Sequence, residues 1–376
     1  MTKITAYPVG NGDTLRLDLR DGRKILVDYA DMRNRADRTD KRIDLPAALR
    51  ADLRLAGRDY HDVTAFTHLD NDHVVGAGEF FEFDHAAKYQ GGDRIKMPLL
   101  WVPASALTDV GTDGCARLIR EEAKHRMREG YGIRVFSRPD ALKGWFEREK
   151  RDMASRMDFI TNAGELVPGF SKFDGGGVEF FIHSPFGFRR NAQEVDDRNL
   201  NSFVFQATFR EGLTDVRALF AADMPWKGLD DIVSITRNSA HRNDERLFWD
   251  YAKLPHHSSY LSLSSDKGVD RTVPTDNIKW LYEEAGQKGG ILLSSSWPVP
   301  SKGTEEDESV QPPHRQAASY YRNVAAGLGG RYEVTMERPA SNPCPTVVEI
   351  TPLGARLVSN ALAPAAAIAA TPMRAG

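Results

Sequence analysis

Thr67-His68-Leu69-Asp70-Asn71-Asp72-His73 is the stretch whose reading decides the fold. It follows a short apolar strand pattern at 63–67 and runs into a helix expected at 74–83. Four groups able to hold a metal, His68, Asp70, Asp72 and His73, fall within six residues. Charges crowded this densely at the end of a buried strand are costly unless a cation neutralises them. Alternate residues leaving a strand end point the same way, so His68, Asp70 and Asp72 converge. His73 joins them where the chain turns into the helix. Two plainer readings compete. One is a solvated acidic loop with Asp72 as N-cap. The other is a calcium loop, which fails for want of a Gly at its sixth position and a Glu at its twelfth.

The rest of the composition narrows the chemistry. Of 376 residues, only Cys115 and Cys344 are cysteines, so neither a disulfide framework nor a thiolate zinc cage is available. A metal here is held by imidazole and carboxylate, which suits Zn²⁺, Mn²⁺ or Fe. A formal net charge of -3 excludes a globally basic nucleic-acid coat but not a local basic face. The N-terminus enters a strand pattern at once and the chain has no long apolar run, so the expectation is a cytoplasmic protein with no membrane span.

Strand-like runs at 4–8, 14–19 and 24–28 are separated by Gly-Asn-Gly-Asp (10–13) and Arg-Asp-Gly-Arg (20–23), both turn chemistry. An amphipathic surface helix is expected near 45–55. Residues 84–160 interleave Lys, Arg and Glu with aromatics at helical spacing and read as a helical insertion. Strand signals return at 178–183, 202–209, 216–222, 291–295 and 346–351, with the Gly-rich 173–177 read as a turn rather than a phosphate cradle. The expected organisation is one α/β domain over 1–360, with sheets sandwiched by helices, followed by a loose Ala/Pro-rich tail at 361–376.

His-Leu-Asp-Asn-Asp-His resembles the His-x-His-x-Asp-His signature of the metallo-β-lactamase superfamily, with Asp70 in place of the middle His. Three further segments, in order, resemble its ComEC-like branch. They are Val9-Gly10-Asn11-Gly12-Asp13 with Ile25-Leu26-Val27-Asp28, then Asn199-Leu200-Asn201-Ser202 with Leu219–Asp223, and then Leu254-Pro255-His256-His257-Ser258-Ser259. The resemblance implies a four-layer αββα sandwich holding one or two divalent metal ions, zinc or manganese foremost. It implies that Asp72 and His73 hold one ion, that Asp223 bridges two, and that His256 or His257 completes the site, with His256 favoured as the first His after the Pro. His68 and Asp70 would hold the other ion. Asn201, Ser202 and Ser258 would contact substrate, and Asp72 and His314 would take part in catalysis. The sequence departs from the pattern at Asp70, at Ala222 in place of Gly, and at Ser258-Ser259 in place of Gly-Ser. It also lacks the further His that serves the first metal.

The resemblance implies hydrolysis by a metal-activated hydroxide, since a bound metal lowers the pKa of water from about 16 to about 7. A phosphodiesterase acting on nucleic acid is the first expectation. The alternatives are a hydrolase of a smaller ester or phosphoester, and a latent effector or docking module switched on by a protein partner. The basic 115–156 stretch, with Arg117, Arg120, Lys124, Arg126, Arg128, Arg134, Arg148, Lys150 and Arg151 beside Trp145 and Phe146, could track a polyanion and stack bases. Interleaved Glu121, Glu122, Glu129, Glu147 and Glu149 favour, slightly, a solvated helix laced with ion pairs. His314 is either a proton donor or phosphate contact, or a helix cap, and His183 reads as structural. Asp28 and Asp13 either orient ligands or are turn residues, the turn reading being favoured for Asp13.

Overall fold

In strand β3 (Lys24–Val27), Ile25 and Val27 enter one apolar core while Leu26 enters another. A strand with both faces apolar must be covered on both sides. The same split recurs in β5 (Leu100–Pro103), where Trp101 faces the first core and Leu100 and Val102 the second. On the other half of the molecule, Ile291 and Leu293 share the first core, whereas Leu292 enters a third. Three cores separated by two sheets make four layers. The computed structural model, which describes residues 1–137, 140–185, 198–238 and 242–358, is an αββα sandwich.

The first sheet has nine strands. It adds β1 (Lys3–Ala6), β2 (Leu15–Asp18), β4 (Val63–Ala65), β6 (Ile133–Phe136), β7 (Ile160–Thr161), β14 (Thr346–Thr351) and β15 (Gly354–Val358), in the order β15-β14-β1-β2-β3-β4-β5-β6-β7. Pairing is antiparallel as far as β3 and parallel from β3 to β7. The second sheet contains β8 (Val178–Ile182), β9 (Phe205–Glu211), β10 (Thr214–Phe220), β11 (Trp249–Lys253), β12 (Gly286–Ser294) and β13 (Arg331–Val334), in the order β13-β12-β11-β10-β9-β8. Helices Leu45–Leu55, Gly114–Glu129 and Asp140–Arg148 cover the first sheet. Helices Trp226–Asn238, Asp276–Glu283 and Arg315–Gly327 cover the second.

Two expectations need correction. The segment 84–160 does contain helices, but it also supplies β5, β6 and β7 to the parallel half of the first sheet. It is therefore part of the scaffold. These strands are short and almost wholly buried, without the regular alternation that reveals a half-exposed strand. The helix expected at 74–83 is instead two single turns, Asn71–Val74 and Ala77–Phe80. Gly76 parts them at φ 82, where a Cβ would come within 2.8 Å of the Asp31 Cβ. At 173–177 the expected turn is present, the Asp174 carboxylate accepting the N–H groups of Gly176 and Gly177. The tail at 361–376 lies outside the described residues. Among the described residues, no helix is long and apolar enough to cross a membrane.

Candidate metal centre

The C-terminal ends of parallel strands from both sheets meet at one edge of the sandwich, where backbone leaves the ladder and side chains can converge. Asp28 follows β3, and the hexapeptide follows β4 two residues beyond its end. Asp223 follows β10, His257 follows β11, and Ser295 follows β12. The loop before β2 closes over them: Asp13 N–H donates to the Asp72 carbonyl at 3.0 Å. Gly12 packs so near that a Cβ there would lie 3.0 Å from the same oxygen.

Asp72, His73, Asp223 and His257 bring one donor atom each to within 4.8 Å of one another. Four of the separations trace edges of a small tetrahedron. His257 Nε2 lies 3.0 Å from Asp72 Oδ2 and 3.5 Å from Asp223 Oδ2. His73 Nε2 lies 3.4 Å from Asp223 Oδ2 and 3.9 Å from Asp72 Oδ2. A tetrahedral ion with ligand bonds of about 2.1 Å has edges of about 3.4 Å.

The imidazoles are oriented from behind. His73 Nδ1 lies 2.9 Å from Asp28 Oδ2, and Asp28 also accepts from the Thr67 N–H and hydroxyl, both at 2.7 Å. His257 Nδ1 donates to the Ser295 carbonyl at 2.6 Å. With each Nδ1 carrying its proton to an acceptor, each neutral ring turns the Nε2 lone pair inward, the arrangement found behind metal-binding histidines. His73 Nε2 is buried and has no hydrogen-bond partner. Lone pairs facing carboxylates in a dry site repel unless a cation sits between them.

Without an ion, protons do that work. Burial disfavours charge on His73 and His257, yet the facing Asp223, joined by Asp28 for His73 and by Asp72 for His257, raises both pKa values. Burial likewise opposes ionisation of Asp72 and Asp223, but the two imidazoles outweigh it and hold both carboxyls below their usual range. A divalent ion satisfies all four groups at once, and the donor set fits one.

Asp13 and Asp28 also come close to His73, but other partners account for them. Asp13, 1% exposed, makes a short contact with the ammonium of Lys253, which is equally buried. That overturns its reading as a simple turn residue. Lys253 Nζ is also 3.9 Å from Asp223 Oδ1. Lys253 was not among the expected site residues, although a charge set between Ala252 and Leu254 at a strand end is a legible signal.

The favoured choice of His256 is also corrected: the gathered ring is that of His257. Position after the Pro does not decide it, because His256, His257 and Ser258 have left-handed φ of 45°, 54° and 63°. A left-handed turn, not a count from Pro255, sets their directions, at a cost of about 1–2 kcal/mol per residue. We expect His257→Ala to empty the site and His256→Ala to keep its ion, as read by metal analysis after gel filtration. The reverse pattern would return the ligand role to His256. Asp28→Asn should weaken metal binding by roughly 10–100-fold, measurable by competition with a chromophoric chelator. Unchanged affinity would show that His73 needs no anchor.

His68 is buried beside the quartet, its ring centroid 4.0 Å from that of His73. Asp70 occupies the N-cap position of the first short helix without capping it, and bonds Arg198 at 3.1 Å. His314 lies outside the gathered groups, with its backbone N–H on the Ser258 carbonyl and its ring against Tyr260. Burial and nearby Lys267 lower its pKa to about 4, so at neutral pH it has no imidazolium proton to give. Ser258 bonds Ser294 and Tyr332, and Ser202 bonds the Asn199 carbonyl, so both hydroxyls point into the structure. Asn201 ends the turn Asn199–Asn201. His183 bonds the Arg246 carbonyl, a structural contact.

In the basic stretch, Trp145 and Phe146 are buried in the core against the first sheet. Arg126 is buried on Glu122, and Arg128 forms a bidentate pair with Glu149. These side chains hold the fold together and offer no stacking platform.

No family model matches the chain, and no curated protein matches it. Among solved structures it is similar to a new diphosphatase from the PhnP family, at 12% identity over 83% of this chain and 92% of that one, with a TM-score of 0.33. It is also similar to unliganded yeast PDE1, at 11% identity over 89% and 98%, with a TM-score of 0.43. At such identities and scores, neither neighbour lends its chemistry to this chain.

Proposed function

We propose that this chain is a metal-dependent hydrolase of metallo-β-lactamase type acting on phosphoesters, with phosphodiesters as the substrate class. One observation carries the reading: two imidazoles, each fixed through Nδ1, aim Nε2 at two carboxylates with the edge lengths of a tetrahedral ion site. A divalent ion bound there supplies an acidified water and positive charge for a phosphoryl oxygen. Asp28 and Ser295 hold the rings still, and the loop at Asp13 is tied to the hexapeptide through the Asp72 carbonyl. The ordered motifs support the phosphodiester class, and the cleavage of nucleic acid draws its support from that resemblance alone.

The test is turnover of bis-p-nitrophenyl phosphate, p-nitrophenyl phosphate, p-nitrophenyl acetate and single-stranded DNA, after EDTA treatment and readdition of Mn²⁺ or Zn²⁺. Metal-restored diester turnover supports the assignment. Bound metal with ester turnover only overturns the phosphoester class, and failure to bind any metal overturns the centre itself.

A further inference from the structure

We propose that Thr67 is a positioning residue of the metal centre: through its hydroxyl, the Asp28 carboxylate that fixes the His73 ring also fixes that of His68. The inference rests on the metal reading of the quartet and deepens it, because it makes His68 a further imidazole donor held from the same anchor.

Thr67, His68, His73 and Asp28 are all buried, none more than 3% exposed. The Thr67 hydroxyl has a single hydrogen to give. Within its reach are Asp28 Oδ2 at 2.7 Å, His68 Nδ1 at 3.2 Å and His73 Nδ1 at 3.5 Å. The charged oxygen at the shortest distance is the strongest acceptor of the three, so the hydrogen goes to Asp28. The Thr67 N–H donates to the other oxygen, Oδ1, at 2.7 Å, which locks threonine and carboxylate face to face. His73 Nδ1 has Asp28 Oδ2 itself as acceptor, at 2.9 Å. A hydroxyl that has given up its hydrogen offers only lone pairs, so His68 Nδ1 is the donor in its contact with Thr67.

That assignment decides the other nitrogen. A neutral ring protonated at Nδ1 carries its free lone pair on Nε2. His68 Nε2 is buried without a hydrogen-bond partner, and Asp70 Oδ2 stands 3.8 Å from it. A buried lone pair facing a carboxylate oxygen is costly unless a cation satisfies both. The opposite tautomer would point an N–H into the same space and bar an ion from it. Thr67 thus selects the ring form able to bind metal. One buried carboxylate thereby governs two imidazoles whose centroids are 4.0 Å apart.

The experiment labels the histidines of full-length, EDTA-treated protein with ¹⁵N and reads each ring's tautomer from its nitrogen shifts. The spectra are taken at about pH 8, above the usual imidazole range, and the His68 signals are identified by their loss in His68→Gln. Wild type is expected to carry the His68 proton on Nδ1. Thr67→Val keeps the shape and the backbone N–H but has no oxygen; it should move the proton to Nε2 and lower Zn²⁺ affinity roughly 10–100-fold. Thr67→Ser should retain both the tautomer and the affinity. A proton on Nε2 in wild type, an unmoved proton in Thr67→Val, or full Zn²⁺ affinity once the proton has moved would each overturn the proposal. Failure of wild type to bind Zn²⁺, with the proton on Nδ1, would instead remove the metal centre on which it rests.

Discussion

Asp72→Ala is expected to lose the bound ion and, with it, hydrolysis, while the protein stays folded. Binding of about 10–16 kcal/mol at a four-ligand site averages about 3–4 kcal/mol per ligand, so affinity should fall roughly 10²–10³-fold. The loss is specific to the site because the Asp72 side chain is 31% exposed, and truncating it opens no cavity in the core. The ion-free proteins should therefore differ by no more than about 1 kcal/mol in urea denaturation. Metal content and diester turnover are the readouts. A variant that keeps both would sink the quartet, whatever the rest of the chain does.

Lys253→Met should be the most damaging single change to stability. Its ammonium and the Asp13 carboxylate are each about 1% exposed and contact one another. Burial works against the charge on Lys253, and Asp13 and Asp223 more than compensate, raising its pKa. Removing one partner of a buried pair leaves the other charged and dry, at a cost of about 3–5 kcal/mol. The companion Asp13→Asn/Lys253→Met should recover much of that loss, since an amide tolerates the site better than an unpaired carboxylate. Chemical denaturation of both variants decides the matter: a loss under about 1 kcal/mol in the single variant would show that Asp13 finds another partner.

What could be read from one dimension was local. The density of ligands in His68–His73, the turn chemistry at 10–13 and 20–23, and the helix with Leu45, Leu49 and Leu53 inward are short-range patterns, and each stands in the structure. The strands beginning near residues 178, 216 and 346 were likewise legible, because apolar runs bounded by turns mark them. The short buried strands β5 to β7 were not, since a strand covered on both faces loses its alternation and helical charge patterns surround it.

The sequence by itself thus determined which residue types could hold a metal and the layered fold that presents them. Tertiary structure alone decided which of them meet. It chose His257 over His256 through a left-handed turn, drew Asp13 inward to a lysine 240 positions away, and gave Asp70 to an arginine 128 positions on. Each outcome sets a polar or charged group against a partner remote in sequence, and electrostatic energy depends on distance in space, which no local pattern of residues records.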